Sequence, residues 1–288
     1  MKVLFRSFVI FVLLIFTAYI PLIAESPISS YAEQRIDDFL DLHMKLTTCT
    51  SNAEALKKID EFEEQTKRIL QEQAVDLEQE QLILESLYLM ERYHYLYDPQ
   101  INRKELRLLM KAQMKKNEAC IDARGKNDVS KWLYVFTGDV ISFYMTTHSP
   151  AAVFRYGMRV KHLYEKAIKL DATLTNANTN LGNWFFYAPV LFGGGLDKAG
   201  SRYKIAFDGA RIAAEQYTSS IYLSQYWFEK KQYDIAKEYL DLADSLNPNS
   251  KEIVLIRRLN QRGISLFTYN RDKTGIDIEE NAAAENED

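Results

Sequence analysis

The chain has 288 residues, of which 47% are hydrophobic, 12% aromatic and 26% charged. That composition supports a sizeable core and excludes collagen-like, low-complexity and wholly disordered chains. Eleven glycines and six prolines are too few for the many turns of a sandwich or barrel, so a mostly helical fold is expected. A formal net charge of -4 offers no global electrostatic reason to bind nucleic acid or an acidic membrane surface.

At the N-terminus, Lys2 and Arg6 precede an apolar run from Phe8 to Ile20, and Ala24 stands before the polar Glu25 and Ser26. A basic start, an apolar stretch and a small residue at a polar boundary predict a signal peptide, residues 1–24, cleaved after Ala24. The alternative is a retained inner-membrane anchor, since Val3 to Ala24 approaches the roughly 20 residues that span a bilayer. Removing Lys2 and Arg6 takes the net charge from -4 to -6. The expected location is outside the cytoplasm.

Periodic apolar residues predict helices near 29–47, 52–72, 75–97 and 102–124, which form an N-terminal region of helical hairpins, 25–127. Export permits a disulfide between Cys49 and Cys120. If the four helices are antiparallel, however, the two cysteines fall at opposite ends of the stack, beyond the roughly 7 Å that a bridge allows, so two buried thiols are expected. A further helix, capped by Asp128 or Ser130, carries Trp132, Val135, Phe136, Val140 and Phe143. Others follow near 151–170, 173–188, 196–215, 217–230, 233–246 and 250–266. The last segment, 269–288, is expected to be an acidic disordered tail.

Residues 217–250 read as one unit of 34 residues, with Leu223, Trp227, Ala236, Leu240, Ala243 and Pro248 as landmarks. Small Ala236 and Ala243 permit two antiparallel helices to approach, Leu240 fills the space between them, and Pro248 stops the second helix. The unit resembles a tetratricopeptide repeat. Its small-large-small helix recurs as Ala112, Lys116, Ala119, as Val160, Tyr164, Ala167, and as Ala199, Tyr203, Ala206. The fold class expected is therefore all-α: a right-handed stack of antiparallel helix hairpins, a TPR-like α-solenoid over 128–268 with an N-terminal helical extension. Ordinary helix pairs in a bundle are the alternative.

Gly193, Gly194 and Gly195 before Asp197 resemble a phosphate cradle only superficially, because no P-loop or dinucleotide-binding spacing surrounds them; a turn is expected. Between Thr175 and Ala188, Ala177, Leu181, Trp184 and Ala188 form an apolar stripe, expected to face the inter-helix core. Asn176, Asn180, Asn183 and Tyr187 form a polar stripe beside it. Asparagine is a poor helix-interior residue, so this stripe is a candidate surface for a ligand or an extended partner; a solvated face or bonding between neighbouring repeats is the alternative. The run Trp184, Phe185, Phe186, Tyr187, with Phe192 nearby, carries more aromatic surface than one core face absorbs, and part of it should line a pocket, pore or interface. His43, His94, His148 and His162 show no metal-ligand spacing, and no nucleophile elbow occurs. No catalytic residue, metal or cofactor is therefore assigned.

With these landmarks in place, residues from about 131 to 262 look like the periplasmic TatT family, the helical-repeat component associated with tripartite ATP-independent periplasmic (TRAP) transporters. The likeness runs through Lys131-Trp132-Leu133, His162 to Asp171, Leu181-Gly182, Tyr187 and Pro189 before Gly193-Gly194, then Asp197-Lys198-Ala199 with Tyr203 and Ala206. It implies a non-enzymatic periplasmic scaffold that assists a solute-binding protein, forms oligomers and shelters an apolar or carboxylate ligand. A general envelope scaffold binding extended polypeptide through a concave groove is the alternative. The expected contact residues are Asn176, Asn180, Asn183, Tyr187, Trp184, Phe185 and Phe192. The sequence departs from the family by lacking a lipoprotein cysteine and by its longer N-terminal helical region.

Overall fold

The structure is a computed structural model that describes residues 27–96, 103–125, 127–146 and 150–271. The expected signal peptide lies outside the described residues, as does most of the expected acidic tail. Residues 269–271 complete a short helical stretch, 266–271, and Tyr269 packs against the core.

The regular elements among the described residues are helical. They are α1 (Ser30–Leu46), α2 (Asn52–Gln73), α3 (Leu77–Leu96), α4 (Arg103–Asp122), α5 (Lys131–Thr146), α6 (Pro150–Leu170), α7 (Thr175–Tyr187), α8 (Leu196–Asp208), α9 (Ala213–Glu229), α10 (Tyr233–Leu246) and α11 (Lys251–Gln261), with a 3-10 turn at Val190–Phe192. Caps match the sequence logic. Ser29, Ser51 and Ser250 accept the amide hydrogens of Ala32, Glu54 and Ile253, and Ser130 accepts that of Trp132, each meeting a donor that the helix leaves unpaired.

Two predicted boundaries move. The helix expected over 196–215 ends at Asp208, and α9 starts at Ala213 because the buried Glu215 carboxylate reaches back to the Arg211 amide at 2.7 Å. The helix expected over 250–266 stops at Gln261, before Gly263 at φ +76°.

Helices pair in chain order, most extensively α5 with α6, α7 with α8 and α9 with α10; in addition α3 packs on α5, α5 on α7 and α7 on α9. Within three of the hairpins a small residue on the first helix receives a larger side chain from the second. Ser86 accepts the Asn117 amide at 2.9 Å. A Cβ built on Gly138 would lie 2.6 Å from the Tyr164 ring, and one on Gly182 2.4 Å from the Tyr203 ring. Tyr164, Tyr203 and Leu240 are buried, together with the small residues expected on either side of them. The first of the four expected sets is wrong. Ala112, Lys116 and Ala119 lie on the exposed side of α4, where Lys116 meets Glu85 in water, and Gln113, Asn117 and Cys120 are buried instead. Gln113 and Asn117 bond Ser86 on α3, which turns their face inward and leaves the Lys116 ammonium in solvent.

The N-terminal α1 packs on α3 and also on α9. Ser29 at its start bonds Glu80 at 2.8 and 2.6 Å. Near its end, Asn247 donates to the Met44 carbonyl at 2.7 Å and Lys251 to the Thr47 carbonyl at 3.1 Å. The first and last hairpins are thus joined through one helix. Cys49 and Cys120 are both buried free thiols, as helix parity requires. No helix among the described residues is long and apolar enough to cross a membrane.

Candidate functional site

Two cavities meet at the centre of this arrangement. The larger, about 630 Å³, lies among α5, α6, α7 and the 3-10 turn, and its wall includes Phe143, Met145, Val160, Trp184, Tyr187 and Phe192. The smaller, about 190 Å³, lies where α1 faces α3, α5, α7 and α9. Asp139, Phe143, Asn180 and Tyr222 border both.

The expected contact residues divide. Asn176 and Asn180 border the smaller cavity; Asn180, Asn183, Trp184, Tyr187 and Phe192 border the larger; Phe185 borders neither and packs between two core clusters. Trp184 is not wholly in the inter-helix core as its stripe suggested. It is half-buried on the cavity wall, with Nε1 donating to the Gly157 carbonyl at 2.8 Å. The asparagines make bonds between helices: Asn180 donates to Asp139 on α5 at 2.7 Å, and Asn183 accepts from Tyr203 on α8 at 2.8 Å. Asn176 keeps a buried Oδ1 with no protein partner, as does Thr179 Oγ1 beside it.

The three glycines after α7 form a turn. Gly193 has φ +92° and Gly195 φ +151°, and a Cβ on Gly194 would collide with the Ala188 carbonyl at 1.8 Å. The amides of Gly194 and Gly195 bond the carbonyls of Pro189 and Phe185 at 3.2 and 2.8 Å, so they are already committed to the end of α7.

Asp139 was not among the expected residues. Its Oδ1 accepts two hydrogen bonds, from the Tyr164 hydroxyl and the Asn180 amide, both 2.7 Å long; Oδ2 accepts none. The side chain is partly buried and borders the space of both cavities, with protein packed densely around it. Burial therefore pushes the carboxyl up to about 7, although the bonds from Tyr164 and Asn180 pull the other way. A signal for it existed: Asp139 is the lone charged residue in the largely apolar run from Trp132 to Tyr144.

A second polar group borders the smaller cavity on α1 and α3. His43 Nδ1 lies 2.6 Å from Glu91 Oε2. The Glu91 charge outweighs desolvation and raises the imidazole to about 9. Burial pushes Glu91 up, but the charge of His43 and its hydrogen bond hold the carboxyl below its ordinary range. Glu252 on α11 is raised by burial, opposed by His43 and by a 3.0 Å bond from the Tyr217 hydroxyl. The result is an ion pair rather than a poised base, because an imidazole protonated at neutral pH cannot accept a proton. Nothing in the local spacing of His43 or Glu91 announced this pairing across 48 positions.

Among the described residues, no cluster of three or more His, Cys, Asp or Glu side chains is arranged to hold a metal. No protein-family model matches the chain, and no curated protein matches it.

Proposed function

We propose that the protein is a non-enzymatic binding scaffold of the cell envelope, a right-handed TPR-like α-solenoid that shelters an apolar ligand for a partner protein. The larger cavity carries this reading. At about 630 Å³, walled chiefly by aromatic and aliphatic side chains with few polar groups, it has the size and chemistry of a small-molecule site. The pairing of successive helices, with α3, α5, α7 and α9 packed in turn, supports the solenoid. The resemblance to the TatT family supports export to the periplasm, a solute-binding protein of a TRAP transporter as partner, and self-association.

The 3-10 turn beside the cavity holds Val190 and Leu191 in solvent, 81% and 89% exposed, and this apolar tip suits contact with that partner. The carboxylate limb of the ligand expectation is weaker, because the charged residue on the cavity wall is itself an acid. Extended polypeptide is a weaker reading too: Asn180 and Asn183 are bonded within the fold, and Asn176 borders a small cavity shared with α1 rather than an open groove. A catalytic reading draws on His43, Glu91 and Asp139 around the smaller cavity, but the ion pair commits the histidine.

Gly157 supplies the test. It is buried on the cavity wall, and a Cβ there meets only Trp184 Nε1, at 3.9 Å. Gly157→Leu starts from a Cβ with no close contact and should fill part of the cavity. Wild-type protein should bind the neutral apolar dye N-phenylnaphthylamine saturably at one site, and Gly157→Leu should bind it at least tenfold more weakly with an unchanged or raised melting temperature. Equal binding by both proteins would remove the cavity from the proposal.

A further inference from the structure

We infer that the larger cavity selects an apolar molecule with a hydrogen-bond-donating cationic head, a lipophilic ammonium, whose head meets Asp139. This inference rests on the reading of that cavity as an apolar ligand site. Both protein donors to Asp139 end on Oδ1, so Oδ2 keeps its accepting capacity where the residue borders the cavity. The neighbouring polar groups do not compete for it. Asn180 Nδ2 gives one hydrogen to Asp139 Oδ1, Asn183 Oδ1 accepts from the Tyr203 hydroxyl, and Trp184 Nε1 donates its one hydrogen to the Gly157 carbonyl. A ligand therefore meets an unshared carboxylate oxygen and no basic side chain on the wall. Lys161, which lies over the Trp184 ring, is not part of the wall and pairs with Glu165.

The wall also suits a cation. Phe143, Tyr164, Trp184, Tyr187, Phe192 and Tyr222 all border the cavity, and aromatic faces attract ammonium groups, most strongly where water is excluded. A carboxylate head would instead meet Asp139, and a neutral body without a donor would leave Oδ2 unpaired in a desolvated wall, which is costly. Asp139 titrates near neutrality, so an ammonium holds it ionised. The titratable or charged groups bordering the two cavities around it are Tyr164 of α6, Tyr187 of α7, Tyr222 and Glu215 of α9, Glu91 and His94 of α3, and His43 of α1.

The test uses three probes with one ten-carbon body, decylammonium, decanol and decanoate, each titrated calorimetrically below its micelle concentration at pH 8. Decylammonium should bind at least tenfold tighter than decanol, and decanoate weakest. In Asp139→Asn, the ratio of decylammonium to decanol affinity should fall to near one. In wild-type protein, the same ratio should fall when the pH is lowered from 8 to 5, which decides the matter even if the variant does not fold. Three equal affinities in the wild type would overturn the inference and leave the apolar site standing. A decanoate preference would also overturn it. No binding of any probe would overturn the apolar site itself.

Discussion

Asp139 is a carboxyl whose folded environment favours the protonated form, and that sets a pH signature. Its pKa is raised from 3.8 to about 7, so its contribution is most favourable below pH 4 and is lost as pH rises towards 7. Asp139→Asn keeps a group that accepts from Tyr164 and Asn180 but removes the buried charge. It should stabilise the ligand-free protein at pH 8 by on the order of 1 to 3 kcal/mol, with the gain shrinking at pH 5; urea midpoints at the two pH values measure it. Glycines give a second contrast. Gly182→Ala drives a methyl into the Tyr203 ring at 2.4 Å and should cost about 1 to 3 kcal/mol by overpacking. Gly157→Ala has room and should gain up to about 1 kcal/mol in helix propensity. Equal effects of the two on the urea midpoint would contradict the hairpin packing.

For the elements, most helices were legible because apolar periodicity and capping serines are local signals. The end of α8 was not, because the break before α9 depends on a bond from the Arg211 amide to Glu215 inside a continuous amphipathic pattern. The exposed register of Lys116 was missed for a related reason: small residues at the right spacing mark a close approach only if a neighbour is there. The docking of α1 joins Asp37 to Arg211 before α9 and Met44 to Asn247 after α10, 174 and 203 positions apart, beyond any local pattern, as is the cavity that Asn176 shares with α1. The His43–Glu91 pair anchors α1 to α3, and its pH dependence runs in the same direction as that of Asp139 but over a higher range, with the charged form favoured here and the neutral form there. A histidine raised from 6.5 to about 9 contributes fully below pH 6.5, and the contribution is lost as pH rises through 9. With the half-exposed ring discounted for solvent screening, His43→Gln should cost about 1 kcal/mol at pH 7 and close to nothing at pH 10. A pH-independent cost would assign the residue to packing alone.

Across the whole molecule, the pairing of successive helices was legible from the small-large-small pattern in three of its four sets, and the two thiols from helix parity. The site was half legible. Aromatic excess around residues 184–192 located the larger cavity, while the asparagine stripe pointed outward to a partner and found its bonds inside the fold. Asp139 is the acid on the larger cavity's wall, with a raised pKa and an unshared oxygen, and the function proposed depends on something entering beside it. Trp184 reports that entry. Quenching of tryptophan fluorescence by 1-bromodecane at pH 5, where the Asp139 carboxyl is mostly protonated and carries no buried charge, should saturate in the wild type and disappear in Trp184→Phe, leaving Trp132 and Trp227 unquenched. Quenching that rises without saturation, or that persists equally in Trp184→Phe, would contradict a ligand-holding cavity at this place in the fold.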